Sequence, residues 1–452
     1  MLEANSIPSS EPLIDVGIIL PEDGLNKVSL TLPAEPLYRA VCDGKASDLQ
    51  PGSQLSLSFD HGILHLESGL PEQTARREIR IEARDPQRSI APKSGIRVSP
   101  VVAGRGFHWQ KKIDVYLPDT LIFRHYEDSM TLTNELPLEH YVMCVATSEM
   151  SAACPAALIE SQTIAARSWL LANVEQKHKA LGMDVCNDDC CQRYQGSTFL
   201  SLQSIQGALS TNGQVLMYGE AICDARYSKS CGGMMESFDA VWPGYKLPYM
   251  VVKPDAPEAE AAKYRHLDLR KEAAARDWIT ATPRSWCSPA HIPETELIKY
   301  LGNVDQDAAY FRWKIEIRQQ ELTAALKKYA RLNIRAVLSL LPEKRGGSGR
   351  ATELSIVYYP DESTKTAVYK ARSEYEIRRI LSEQFLYSSA IVVKLKDISG
   401  AIPGIFEISG AGWGHGAGLC QIGALGMALH NKPTEEILAH YYPNSYLKKI
   451  YD

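Results

Sequence analysis

Residues Gly412-Trp413-Gly414-His415-Gly416-Ala417-Gly418-Leu419-Cys420-Gln421-Ile422-Gly423-Ala424 place five glycines among 13 positions, around one imidazole, one thiol and one carboxamide. Each glycine inside a regular element costs roughly 0.5–1 kcal/mol relative to alanine. Such density is expected where backbone turns tightly or approaches another group closely. The interspersed side chains are of types that bind metals and sugars. The same residues also suit a plain glycine-rich loop with a hydrogen-bonded histidine.

Cys186, Cys190 and Cys191 form the one tight group among ten cysteines. A C-x3-C spacing with an adjacent thiol resembles half of a zinc site, and Cys231, His178 or His415 are candidates for the remaining ligand. Cys42, Cys144, Cys154, Cys223 and Cys287 lie singly, and a lone buried cysteine behaves as a small hydrophobe. Glu149 closes the largely apolar run Cys144-Val145-Ala146-Thr147-Ser148-Glu149, just before a predicted helix. Burial raises the pKa of a carboxyl group, which keeps a general acid protonated near neutral pH. A carboxylate decorating a helix N-terminus is the simpler role for such a residue.

These residues need elements to position them. Leu13–Ile19, Leu55–Phe59, Ile63–Leu66 and Ile113–Leu117 read as short strands separated by Gly, Pro and Asp turns. Pro155 to Leu181 reads as a helix, with Leu158, Ala165, Trp169 and Ala172 on one face, Lys177, His178 and Lys179 in its last turn and Gly182 as its stop. Residues 254–285 and 318–331 are helix-rich, Arg345 to Arg350 is a basic glycine loop, and strands return at 353–359 and 390–396. The fold class is therefore α+β. At 452 residues the chain has room for about two to four domain-sized units. A net charge of −5 supplies no basic field for nucleic acid, and no apolar run reaches membrane-spanning length.

Four segments together resemble the SpoIID/LytB family of cell-wall proteins. They are Leu136-Pro137-Leu138-Glu139-His140-Tyr141-Val142 with Thr147-Ser148-Glu149-Met150 and Ser161-Gln162-Thr163-Ile164-Ala165-Ala166-Arg167-Ser168-Trp169; Cys186 to Gly196; Ser228-Lys229-Ser230-Cys231-Gly232-Gly233; and residues 412–424. They occur in the family's order. The resemblance implies an α+β SpoIID-like core with a prominent central helix. It divides the chain into an N-terminal strand-rich region (1–117), a first core part (118–245), a helical insertion of unassigned role (246–315) and a second core part (316–452).

The resemblance further implies action on peptidoglycan glycan strands. One branch consists of lytic transglycosylases, which cleave the MurNAc-β-1,4-GlcNAc bond and leave 1,6-anhydro ends; the matching general acid/base is Glu149. Another consists of non-catalytic enhancers of an N-acetylmuramoyl-L-alanine amidase. His415, Gln421, Arg167 and Ser230 are the substrate-binding candidates. Arg167 equally suits an internal carboxylate, and Ser230 a turn cap. Asp184, Asp188 and Asp239 are weaker helpers. No cofactor is required for the transglycosylase chemistry. Some relatives hold zinc near the Cys186–Gly196 region, where the family's histidine is Cys190 here, and such a zinc is expected to be structural. The family's serine in the last motif is Cys420, and its proline after Ser-Glu-Met is Ser151. The expected compartment is the cell envelope or periplasm, although Met1-Leu2-Glu3-Ala4-Asn5-Ser6 lacks the basic and apolar regions of a signal peptide, so a cytoplasmic protein stays open.

Overall fold

The computed structural model describes residues 1–452 other than 5, 69–72, 86–88, 108 and 303–308. The chain forms two compact units: residues 1–224 together with 446–452, and residues 225–445. The second unit is thus inserted into the chain of the first, and the strand-rich N-terminal region shares a unit with Glu149.

In the first unit the alternation read at Leu55–Phe59 becomes strand pairing, with a partner strand that was not read from the sequence. Lys27–Thr31 alternates exposed and buried residues, and Gln54–Asp60 opposes it antiparallel with Val28 facing Leu57 and Leu30 facing Leu55. These strands belong to a six-stranded sheet. A seven-stranded sheet contains Leu13–Ile19 between Ser129–Pro137 and the two-residue strand Val185–Cys186. Both sheets contribute to one hydrophobic core, including Ile14, Val16, Leu57, Leu64, Val98 and Phe123.

Strand Ser129–Pro137 runs directly into helix α1, Leu138–Glu149. Every residue of α1 from Leu138 to Ser148 is buried. A helix enclosed on all sides carries no amphipathic stripe, so periodicity alone gives no sign of it. Glu149 therefore ends a helix instead of preceding one, which corrects the expectation and removes the N-terminal decorating role. Helix α2, Ala156–Ala172, starts after Pro155 as expected but stops nine residues early. Asn173 takes the left-handed conformation at φ 45° and its N–H bonds the Trp169 carbonyl, a closure that asparagine tolerates. Lys177, His178 and Lys179 consequently lie outside α2, and Gly182 caps a short 3₁₀ turn at Lys179–Leu181. Helix α3, Leu202–Ser210, packs on both α1 and α2. The unit closes with Gln214–Tyr218 pairing to Tyr446–Lys449, directly before which the chain is still in the second unit.

The second unit holds two three-stranded antiparallel sheets. One places Ile402–Ala411 between Arg312–Arg318 and Ile391–Ser399; the other joins Ile334–Arg345, Ala351–Pro360 and Ala367–Ala371. Helices Gln319–Tyr329 and Glu374–Leu381 bury Leu322, Leu326, Ile377 and Ile380 in the same core. The basic glycine loop is the turn of the hairpin between Arg345 and Ala351. The helix-rich stretch at 254–285 is two short helices, Glu258–Tyr264 and Glu272–Thr280. Mixed helices and sheets in both units make the chain α+β. Among the described residues no helix is long and apolar enough to cross a membrane.

Candidate active site and the glycine-loop framework

In the first unit, one short segment organises the candidate chemistry. Glu149 is the first residue of α1 to emerge from full burial, and its Oε1 accepts the Arg193 backbone N–H at 3.2 Å. The Arg193 guanidinium lies 5.0 Å over the Trp109 ring. Gln192 accepts the Tyr141 hydroxyl at 2.9 Å and donates to the Ala166 carbonyl at 3.2 Å, which ties the segment to α1 and α2. Tyr194 stacks on Tyr141 at 5.3 Å and donates to Asn134 at 2.6 Å. Residues 192–194 thus fix the place of Glu149 through buried side chains on either side of Arg193.

Immediately before them, Cys186, Cys190 and Cys191 meet His178, with all four ligand atoms within 4.8 Å of one another. Of the three candidates for the remaining ligand, His178 is the one in this group. Its Nε2 lies 3.6 Å from Cys190 Sγ, and Cys186 Sγ is 2.9 Å from Cys190 Sγ. Hydrogen bonds from Cys186 and Cys191, with His178 beside it, hold the Cys190 thiol well below the ordinary thiol range. Three sulfurs and one imidazole match the donors of a closed tetrahedral Cys3His centre, so these residues could hold a zinc-like ion.

The neighbouring acids are committed elsewhere. Asp184 accepts the N–H groups of Leu2 and Asp15 at 2.6 and 2.9 Å. Asp188 accepts those of Gly104 and Arg105 at 3.0 and 2.6 Å. Arg167 is fully buried and donates two bonds to Glu139, at 2.9 and 2.6 Å, and a third to the Gln214 carbonyl at 2.9 Å. Its guanidinium serves the internal carboxylate, so the structure gives Arg167 no surface on which to meet a sugar.

The remaining sequence motifs converge in the second unit. Tyr227-Ser228 pairs in parallel with Leu419-Cys420, and Ser230 and Trp413 exchange backbone hydrogen bonds at 3.0 and 2.8 Å. The Ser230 side chain is fully buried and its hydroxyl accepts the Gly232 N–H at 3.4 Å, the geometry of a turn cap. Gln421 is buried at the start of helix Gln421–Leu429. Arg350, from the basic glycine loop, is buried and donates to the carbonyls of Gly414, Cys231 and Ser230. The loop's own glycines leave room for it: Gly416 has φ 77°, and a Cβ there would overlap the Arg350 guanidinium. Gly416→Ala is therefore expected to destabilise this unit by about 1–3 kcal/mol in chemical denaturation; an unchanged midpoint would contradict the close approach.

His415 is half-buried in this framework. Its Nδ1 accepts the Ala417 N–H at 3.1 Å, which leaves Nε2 as the proton-bearing nitrogen, and its ring meets the Trp242 ring edge-on at 4.8 Å. Burial, then the guanidiniums of Arg226 and Arg350, push its pKa down to about 3. Because the folded value is depressed, the stabilisation is complete above the unfolded value near 6.5 and is lost as pH falls from there toward 3. Between pH 7 and pH 4.5 the wild type should lose roughly 2–4 °C more in Tm than His415→Gln, about 1 kcal/mol after allowance for the ring's partial exposure. Equal losses would show that the ring does not titrate as described.

Aromatic side chains flank the loop. Trp413 stacks on Tyr387 at 4.1 Å, Trp242 stacks on Phe238 at 5.0 Å, and the Arg226 guanidinium lies 4.1 Å over Trp242. Tyr387, Trp242 and Phe238 belong to no spaced motif and carry no signal in the sequence; Arg193 and Trp413 lie inside motifs but at positions to which the motifs give no role, and only the basic character of the 345–350 loop pointed toward Arg350.

The family model "Stage II sporulation protein" matches residues 126–218, and a domain of unknown function (DUF8618) matches residues 236–418. An uncharacterized protein of Brachyspira hyodysenteriae is 26% identical over 324 residues, which is 72% of this chain and 70% of that protein. The amidase enhancer of Bacillus subtilis is 27% identical over 311 residues, 67% of this chain but 39% of the enhancer. The match at 126–218 spans α1, α2 and the Cys186–Gly196 segment, the parts that hold Glu149 in place. Over these residues, and across its match to the enhancer, the chain is similar to proteins of the SpoIID/LytB family.

Proposed function

We propose that this protein acts on peptidoglycan as a lytic transglycosylase, with Glu149 as its single general acid/base. The supporting observation is the Glu149 carboxyl at the emerging end of a buried helix, held by the Arg193 N–H, while the carboxylates of Asp184 and Asp188 are occupied by backbone N–H groups. Hydrolytic glycosidases work with two carboxyl groups, one of which activates water or attacks the sugar. In the proposed reaction Glu149 donates its proton to the glycosidic oxygen as the C1–O bond of MurNAc breaks. The same residue's carboxylate then takes the proton of the MurNAc C6 hydroxyl as that oxygen closes on C1. A 1,6-anhydro ring forms, the GlcNAc hydroxyl leaves, and Glu149 ends protonated again. No water is consumed and no second carboxyl is needed.

Zinc bound by His178, Cys186, Cys190 and Cys191 would supply structural rigidity to the segment that places Arg193 on Glu149. Purified protein is then expected to carry zinc at this set, and Cys190→Ser combined with Cys191→Ser should lower both metal content and the Tm. Full zinc content in that double variant would exclude the assignment.

The enhancer relative favours a second reading, in which the protein binds peptidoglycan and stimulates an amidase without cutting glycan. Mass spectrometry of digested peptidoglycan separates the two. Anhydro-muropeptides in the digest support the transglycosylase; their absence, with acceleration of an added N-acetylmuramoyl-L-alanine amidase, supports the enhancer.

A further inference from the structure

A second ligand set lies in the second unit, composed of residues that are scattered in sequence. Cys231, Asp255, Cys287 and Cys420 place one ligand atom each within 4.8 Å of the others, and all four residues are buried. We propose that these residues form a closed mononuclear metal site of zinc type, distinct from the cysteine–histidine set of the first unit.

The separations choose the class of metal. At metal–sulfur distances of about 2.3 Å, a tetrahedral ion holds its sulfurs about 3.8 Å apart. Cys231 Sγ and Cys287 Sγ are 3.7 Å apart. Asp255 Oδ2 approaches the same Cys231 sulfur at 3.1 Å. Ligand atoms this close suit one ion; an iron–sulfur cube needs its cysteines spread more widely.

The surroundings match those of a ligand sphere. The other carboxylate oxygen, Asp255 Oδ1, accepts the Tyr441 hydroxyl at 2.8 Å and faces His440 Nε2 at 3.1 Å. Lys253 donates to His440 Nδ1 at 3.3 Å, so Nε2 carries the proton and donates to Asp255. That arrangement orients a metal-binding carboxylate and leaves Oδ2 turned to the sulfurs. Cys420 Sγ accepts the backbone N–H groups of Cys231 and Gly423 at 3.2 and 3.3 Å, a pattern that stabilises thiolate. A Cβ on Gly423 would run into Asp255 and the Tyr441 hydroxyl, so glycine at that position keeps the carboxylate in place. Arg312, bonded to the carbonyls of Ala281, Gly232, Phe311 and Trp278, sets a positive charge against this net-negative group.

The site would also give the 246–315 segment a role. Cys231 and Cys420 come from the two glycine-rich family motifs, whereas Asp255 and Cys287 come from the domain of unknown function. One ion would fasten the inserted segment to both motifs.

The test removes the other set first. Full-length protein carrying Cys186→Ser, Cys190→Ser and Cys191→Ser is purified, its zinc counted by plasma mass spectrometry and its environment read by zinc-edge X-ray absorption. One equivalent with three sulfur neighbours and at least one oxygen is expected, and adding Cys287→Ser should remove it. Should the triple variant fail to fold, wild type is compared with Cys287→Ser alone, and a loss of one equivalent per chain is expected. A folded triple variant without metal overturns the proposal. So does an unchanged count in Cys287→Ser, or a Cys231–Cys287 disulfide found by peptide mapping of the native protein.

Discussion

Glu149→Gln is expected to lower the release of anhydro-muropeptides by about 10²–10⁴-fold, the span that positioned proton transfer contributes to catalysis. Glutamine keeps a carbonyl oxygen to accept the Arg193 N–H, so the end of α1 should be undisturbed and the Tm nearly unchanged. The variant has no proton to give to the leaving oxygen and no base to take the C6 hydroxyl proton, so both halves of the reaction fail together. Substrate binding should survive, and pull-down on insoluble peptidoglycan checks it. Activity within about threefold of wild type would remove Glu149 from the chemistry. An enhancer would show no such loss, because stimulation of an amidase asks only for binding.

The largest expected loss of stability is at Arg167→Ala. The bidentate pair with Glu139 is buried, and Glu139 also accepts the Tyr451 hydroxyl at 2.7 Å and the Gly213 N–H at 3.3 Å. Removing one member of a buried ion pair strands the other charge and costs about 3–5 kcal/mol. Arg167→Lys keeps the charge but not the two-pronged geometry, so it should recover part of the loss. Urea denaturation followed by intrinsic fluorescence measures both; a loss below about 1 kcal/mol for the alanine variant would mean the pair is not the anchor described.

The strands read at Leu55–Phe59 and Ile63–Leu66 were legible because their alternation is strict: Gln54–Asp60 and Ile63–Glu67 switch faces residue by residue, whereas Lys27–Thr31 was passed over. Helix α1 was not, because burial on every side erases the stripe that betrays a helix. The end of α2 was misplaced because Lys177, His178 and Gly182 imitate a helix terminus, while Asn173 closes the helix first. Of the site, the motif residues were legible as chemistry and less so as roles. Arg167 and Ser230 carry the right atoms for sugar, yet both are spent inside the protein. The set of Cys231, Asp255, Cys287 and Cys420 had no sequence signature at all. Its members stand tens of residues apart, and backbone pairings such as Ser228 with Cys420, Met234 with Pro254 and Trp286 with Asp255 bring its segments together.

The return of residues 446–452 to the first unit has a consequence for how the protein is made. Tyr446–Lys449 completes a three-stranded sheet, and Tyr451 reaches the buried carboxylate of Glu139. A ribosome delivers residues 225–445 before it delivers that strand, so the inserted unit is whole while the unit that begins the chain still lacks a piece. Synthesis usually lets the N-terminal domain fold first; here the first unit is the last to be finished. A ribosome-stalled nascent chain ending at residue 445 should therefore leave the Glu139 pocket open, and release of the final seven residues should close it.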